Sequence, residues 1–511
     1  MNSKMKGVMG LALGLTLGVW AEGLPLGKDE AQIIKARLIP CPKLVTLTDG
    51  PVIRIDKHLA VAVTLQGEAG PLVKRTAGLF KTYFGAVPKL TFKAGASALI
   101  TQDGYRFKSA QASGLAIEAS GEGGLLNALK TLRQIAEPER GVDKLSAYFL
   151  PEMSVEDAPT LAFRGLHLCW FPENDEAFIE RCIRMAAYYK FNYVVLEPWA
   201  VFNYTSHPEF VWAEKKVGAK TCRRLARLAR EQGVTLIPQL NLFGHASGSR
   251  HVSGKHAVLD FHPELQPLFE PDGWTWCLSN PATRKLLTDL SQELYEAFEC
   301  PPYFHIGCDE AYSMATCLTC RKGDYAALLK EHLLYFRSLF DARGAKVMMW
   351  HDMLVAAGDP RWKGYYANGR AWAEPLLDAL PKDIVICDWY YGAPKKEESW
   401  ATVKTFKQKG FPVLTCPWKD TEGIKRQARM AREEGLSGVL CTTWHYMHGQ
   451  DMYRMLSVGA NAAWGAEGAT GWALSSFNQH LRQIGWDMPV SRYRDTGSAQ
   501  WQVPPENALG Y

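Results

Sequence analysis

The chain has 511 residues, 47% of them hydrophobic and 22% charged, a balance that supports a large folded core in two or three domains and excludes extensive disorder. Its formal net charge is only +5 and the basic residues are dispersed, so charge gives no support for a nucleic-acid partner or an acidic polymer.

Residues 1–21 join Lys4 and Lys6 to the apolar run GVMGLALGLTLGVW and end on Ala21, the layout of a cleaved secretory signal peptide. The run is short for a spanning helix and no second span follows. Export to the periplasm or beyond is therefore expected, with no stable membrane span after cleavage. Residues 22–157 read as a small α/β domain. A helix is predicted from Pro71 to Phe84, and the segment from Asp103 predicts strand, turn, strand and an amphipathic helix with Leu125, Leu129 and Leu132 on its buried face. The loop SVEDAPT, ending near Pro159, closes this part.

From Phe163 onward strands and helices alternate, which argues for parallel βα units. Strands are predicted at Phe163–Cys169, Tyr193–Glu197, Thr235–Gln239, Tyr303–Cys308, Lys346–Trp350, Ile384–Trp389, Pro412–Cys416 and Gly438–Thr442. Between the third and fourth, Leu286, Leu290, Leu294 and Phe298 mark a helix capped by Asn280 with Pro281 in its first turn. The fold class is thus α/β: a (β/α)8 TIM barrel over 158–455, preceded by the small α/β N-terminal domain and followed by a helix and irregular tail over 456–511. The stretch His245–Asn280, rich in His, Pro and Trp, is expected to fold over the barrel mouth as a lid.

A barrel of this kind collects its chemistry at the C-terminal ends of its strands. There the sequence places His167, then Glu197, Asn241 and His245, then the adjacent Asp309 and Glu310. Trp350, His351 and Asp352 follow the fifth strand, and Asp388, Trp389, Tyr390 and Tyr391 the sixth. Trp418 follows the seventh, and Trp444, His445 and Tyr446 the eighth. Alone, each could be a satisfied buried polar group or a packing aromatic, and an Asp-Glu pair could cap a helix; their joint placement points to a site. Trp350, Trp389 and Trp444 suit the CH faces of a sugar. A glycosidase usually sets two carboxylates about 5 Å apart or more across the anomeric carbon. Consecutive side chains such as Asp309 and Glu310 cannot straddle it, which suggests that the substrate supplies the nucleophile.

Twelve cysteines are scattered from Cys41 to Cys441, unlike the dense framework of a small stapled scaffold. Most are expected to be buried, although export makes some disulfides plausible. Cys317 and Cys320 form a CxxC close to Cys308. Zinc there would need a fourth ligand such as His305, and a local disulfide or plain thiols fit a single CxxC better.

The motif HIGCDE resembles the H-x-G-x-D-E signature of glycoside hydrolase family 20, the β-N-acetylhexosaminidases, and VEDAPTLAFRGLHL resembles the entry to their barrel. The similarity runs from about Asp103 to Tyr446. It implies Glu310 as general acid and then base, and Asp309 as the group that orients the 2-acetamido group and stabilises the oxazolinium ion. It implies that Tyr390 or Tyr391 donates to the acetamido oxygen, that Trp350, Trp389 and Trp444 wall in the methyl group, and that His245 and His305 support the carboxylates. It implies a glycan or glycoconjugate with a terminal N-acetylhexosamine as partner and calls for no cofactor and no metal. His167, Glu197, Asp352 and Tyr446 are the further candidates for substrate contact. Departures are clear: LHLCWFPEN lacks the family's Arg, VVLEPWAVFN offers Glu197 slightly early, and the usual W-x-E becomes Trp444, His445, Tyr446. The glycone pocket should therefore differ. VMMWHDML and CTTWHYMHG resemble the hexosaminidase D branch, which implies tolerance of N-acetylgalactosamine. Two alternatives remain: a carbohydrate-binding barrel without turnover, and a two-carboxylate retaining glycosidase pairing Glu310 with Glu197 or Asp352.

Overall fold

The computed structural model describes residues 30–485 apart from 49, 96–100, 173, 212–215, 247–256, 393–399, 445–453 and 467–472. The N-terminal part contributes β1 (Leu44–Leu47), β2 (Ile53–Ile55), β3 (Ala60–Leu65), β4 (Lys89–Ala94), β5 (Tyr105–Ala110), β6 (Gly114–Ala119), β7 (Glu137–Pro138), β8 (Tyr148–Leu150) and β9 (Met153–Asp157). Six of them form a mixed sheet in the order β1-β9-β5-β6-β3-β4. Its pleat is legible in β3, where Val61, Val63 and Leu65 are buried and Ala60 and Ala62 exposed. Helix Glu122–Ile135 packs on this sheet and buries Leu125, Leu129 and Leu132 as their spacing predicts. Its neighbour Gly70–Phe84 stops where Gly85 turns left-handed at φ 74°.

The barrel strands are β10 (Phe163–Trp170), β11 (Tyr193–Pro198), β12 (Thr235–Pro238), β13 (Tyr303–His305), β14 (Lys346–Trp350), β15 (Val385–Trp389), β16 (Val413–Cys416) and β17 (Gly438–Cys441). All pairings are parallel. The order runs β12-β11-β10-β17-β16-β15-β14-β13, and a parallel bridge between Gln239 and His305 joins the two ends. Val195, Ile237, Met348, Leu414 and Leu440 fill the interior. Helices return between strands, started by side-chain caps at Asp175, Asn280 and Asp324.

The fourth strand is shorter than predicted. Gly307 and Cys308 adopt φ of 62° and 69°, which turns the chain out of the ladder after His305 and delivers the following residues to the mouth. The C-terminal region holds more helix than expected. After the helical turns at Arg454–Val458 and Gly459–Trp464 comes Ala473–Gln483, docked on the first barrel helix by Tyr188 Oη donating to Gln483 Oε1 (2.6 Å) and by Tyr189 Oη against His480 Nδ1 (3.0 Å). Among the described residues no helix is long and apolar enough to cross a membrane.

A buried ionic knot joins the N-terminal sheet to the barrel. Asp157 Oδ2 accepts from Tyr105 Oη (2.9 Å) and Lys190 Nζ (3.1 Å), and its Oδ1 accepts from Trp464 Nε1 (2.9 Å). Burial pushes the Lys190 ammonium pKa down, with Asp157 opposing.

Candidate active site

Asp309 and Glu310 leave β13 at the C-terminal mouth. A Cβ on Gly307 would collide with the side-chain oxygen of Asn241, so glycine permits the close approach of the third and fourth strand ends. Glu310 itself has φ 47°, a conformation costing about 1–3 kcal/mol for a non-glycine residue and found where surrounding contacts hold it. Those contacts are visible. The Glu310 backbone N–H donates to Asp352 Oδ2 (3.0 Å), and its carbonyl accepts from the Trp274 indole (2.5 Å).

His245, also left-handed at φ 53°, places Nε2 at 3.4 Å from Asp309 Oδ2 and 3.3 Å from Glu310 Oε2. The preceding Gly244 makes this possible, because a Cβ there would run into the Asp309 carbonyl. Burial by itself would lower the His245 pKa, but Asp309 and Glu310 outweigh it and lift it to about 10. The ring is thus an imidazolium bridging two carboxylates, between Trp199 and Trp274 at centroid distances of 5.8 and 4.6 Å. Asp309 is buried, which raises its pKa, while His245 pulls the other way.

Asp352 is fully buried and spoken for at both oxygens. Oδ2 accepts from Glu310 N and from Asn368 Nδ2 (2.9 Å), and Oδ1 accepts from Trp389 Nε1 (3.1 Å). Burial, with Asp309 nearby, raises its pKa to about 7. Trp389 is stacked by Tyr366 at 3.9 Å and lies 5.1 Å from Tyr391. Tyr391 in turn lies 6.3 Å from Trp444, which lies 5.4 Å from Trp350. These rings form a continuous aromatic wall. Burial holds the Tyr391 hydroxyl protonated, with Asp309 and Glu310 adding to the effect, so it is a donor beside the carboxylate pair. Tyr390 packs on Trp400 and Tyr365 instead. Trp444 is left-handed at φ 48°, and its buried indole N–H meets no hydrogen-bond partner among the described residues.

Four predicted residues, Trp350, His305, Glu197 and His167, lie one layer deeper. Trp350 is fully buried against His305 (4.5 Å) and His167 (5.5 Å). His305 does not touch the carboxylates: its Nδ1 accepts from Gly307 N (3.1 Å), and burial keeps the ring neutral. It braces the turn that aims them. Glu197, 3% exposed, accepts from Asn241 Nδ2 (2.7 Å) and Cys169 Sγ (3.6 Å) and lies 3.3 Å from His167 Nε2. Tyr446 and His445 fall outside the described residues. Sequence reasoning did not single out Trp274, Tyr366 or Asn368. Trp274 carried a signal, since it sits in the Trp-rich stretch expected to cover the mouth; the other two come from an irregular segment with no periodic pattern.

The expected Cys308, Cys317 and Cys320 grouping is not what forms. Cys308 is buried and donates to Ile306 O (3.4 Å). Cys277 takes its place, with its sulfur 3.8 Å from that of Cys317 and 3.7 Å from that of Cys320. The buried Glu270 lies within 4.8 Å of all three. All twelve cysteines are free thiols. His245, Asp309 and Glu310, and separately His167, Cys169 and Glu197, are comparably close sets of potential ligands.

The chain matches two family models, that of the glycosyl hydrolase family 20 catalytic domain over residues 214–464 and that of the family's domain 2 over residues 35–158. A β-hexosaminidase from Vibrio furnissii is 25% identical over 233 residues, covering 38% of this chain and 35% of the relative. The chain thus spans about a third of that relative's length. Among solved structures, the family 20 exo-β-N-acetylglucosaminidase from Vibrio harveyi superposes with a TM-score of 0.65 at 16% identity, covering 88% of this chain and 77% of that one. The β-N-acetylhexosaminidase from Streptomyces coelicolor A3(2) does so with a TM-score of 0.63 at 18% identity, covering 88% and 97%. At such identities the likeness is one of fold.

Proposed function

Because this chain belongs to glycosyl hydrolase family 20, we propose that it is an exo-acting β-N-acetylhexosaminidase. It would release a terminal N-acetylglucosamine or N-acetylgalactosamine from a glycan or glycoconjugate with retention of configuration. The nucleophile is the substrate's own 2-acetamido oxygen. One observation carries this choice over a two-carboxylate mechanism: both alternative carboxylates are already engaged. Asp352 spends both oxygens on three donors, and Glu197 is held below the mouth by Asn241 and His167. Asp309 and Glu310 remain, side by side under one imidazolium, and cannot straddle a sugar ring.

In the first step protonated Glu310 donates to the glycosidic oxygen as the acetamido oxygen closes on the anomeric carbon. The positive charge of the oxazolinium ion develops beside Asp309, a buried carboxylate whose orientation needs no rearrangement at that moment. Tyr391 supplies the hydroxyl donor to the acetamido oxygen, and Trp389 and Trp444 enclose the methyl group, with the fully buried Trp350 packed behind Trp444. In the second step Glu310 takes a proton from water as it opens the oxazolinium ring. His245 stays charged throughout, so the two carboxylates carry different loads without repelling each other fully. The altered strand ends, with Glu197 withdrawn below the mouth, favour a glycone pocket tolerant of the axial hydroxyl of N-acetylgalactosamine. Residues 1–21 direct the protein out of the cytoplasm in this reading.

Hydrolysis of aryl N-acetylglucosaminide, N-acetylgalactosaminide and plain galactoside tests the proposal. Turnover of both acetamido sugars and none of the galactoside is expected. Turnover of the galactoside, or a covalent glycosyl-enzyme trapped on Glu197 or Asp352, would overturn substrate assistance, and binding without turnover would overturn the enzyme reading.

A further inference from the structure

We propose that Cys277, Cys317, Cys320 and Glu270 form a structural zinc site that clamps the third and fourth barrel loops together beside the active site. Cys317 and Cys320 are a CxxC pair, the spacing with which many zinc sites hold two thiolates from one turn. Cys277 arrives from the other loop. In a regular tetrahedron with Zn–S bonds of about 2.3 Å, sulfurs lie about 3.8 Å apart; the observed separations from Cys277 are 3.8 and 3.7 Å. Packed thiols could also lie at such distances, and a disulfide could form between two of the three. Neither brings a cation to Glu270, although the Cys320 thiol lies within reach of it.

Glu270 is 0% exposed, and among the described residues no Lys, Arg or His pairs with it. Its Oε2 accepts from Thr316 N (3.0 Å) and Cys317 N (2.6 Å), yet its buried Oε1 meets no nitrogen or oxygen donor among the described residues, and of the thiols Cys320 bears on the carboxylate. A carboxylate in that position costs several kcal/mol unless a cation meets it. A zinc ion bound by three thiolates and Oε1 completes a four-coordinate set and releases three thiol protons to solvent. The surrounding hydrogen bonds fit such a role. Cys320 N donates to Cys317 Sγ (3.2 Å), and the Ser279 hydroxyl touches both Cys277 Sγ (3.3 Å) and Cys320 Sγ (3.1 Å). Outer partners of this kind orient metal ligands.

The clamp has a consequence for the mouth. Cys277 lies three residues after Trp274, whose indole holds the Glu310 carbonyl, and Cys317 lies seven after Glu310. Joining these two loops fixes that contact from both ends.

The test is metal content and ligand-field spectroscopy on the full chain, purified under reducing conditions and equilibrated with zinc or with cobalt(II). About one zinc per chain is expected. Cobalt should show thiolate charge transfer in the near ultraviolet and the intense visible bands of a tetrahedral site. Cys317→Ser with Cys320→Ser should abolish both signals, whereas Cys300→Ser, an exposed thiol elsewhere, should keep them. Should the double variant fail to fold, the cobalt spectrum of the unaltered protein still decides. Background zinc, a cobalt spectrum without thiolate charge transfer, or a disulfide among Cys277, Cys317 and Cys320 in the exported protein would overturn the proposal.

Discussion

Replacing His245 by Gln removes the cation between Asp309 and Glu310, the proposed catalytic carboxylates, while keeping a polar side chain of similar reach. At about 1.4 kcal/mol per pH unit, lifting an imidazole from 6.5 to about 10 is worth about 5 kcal/mol. By linkage the same interaction favours ionisation of the partners, Asp309 first, with screening weakening it at the partly exposed Glu310. Asp309 must be ionised to meet the oxazolinium charge. In His245→Gln the acid limb of kcat/KM against pH should therefore move up by about 1 to 2 pH units. A nitrophenyl N-acetylhexosaminide, which relieves the need for acid assistance, isolates this limb from the Glu310 proton. Stability should follow the same charge. A raised imidazole pKa stabilises the fold fully below 6.5 and loses that contribution as pH rises through about 10. Urea unfolding at neutral and alkaline pH should show the unaltered protein losing its advantage over the variant across that window. An acid limb that stays in place, or moves down, would refute the assignment of His245 as the cation that keeps Asp309 ionised.

Glu310→Gln should cost about 10² to 10⁴ in rate with poor leaving groups and far less with nitrophenolate, as leaving-group series would read. Asp309→Asn should slow both kinds of substrate alike and weaken binding of a thiazoline analogue of the ring intermediate, since that ligand mimics the charge Asp309 meets; equal affinity for both proteins would contradict this. Away from the site, Asp157→Asn should destabilise the protein by about 3–5 kcal/mol, because it leaves Lys190 charged and buried at the junction of the N-terminal sheet and the barrel. Denaturant titration would measure it, with restoration expected when Lys190 is also replaced by Met.

Local pattern was enough to read the elements. Alternation in Val61, Val63 and Leu65, helical spacing in Leu125, Leu129 and Leu132, and apolar runs such as VMMW and VLTC each state how they will be buried, because the period of a side-chain pattern is a property of the chain alone. Eight such runs separated by helices imply a parallel barrel, and with it the end at which Asp309 and Glu310 must lie. The resemblance of the HIGCDE motif added the roles proposed for those two acids. Where each side chain finally points is another matter, since it depends on contacts between segments far apart in sequence. Only the folded chain withdraws Glu197 onto Asn241, ties Asp352 to Trp389 and Asn368, and turns His305 to brace Gly307 while His245, not His305, meets the carboxylates. Likewise the CxxC announced two sulfurs, but Cys277 and Glu270 lie 40 or more residues earlier and reach them only because Gly244 and Gly307 let the third and fourth loops close on each other. Spacing can encode partners a few residues away on one element; partners brought together by loop closure leave no periodic trace, so tertiary packing decided them.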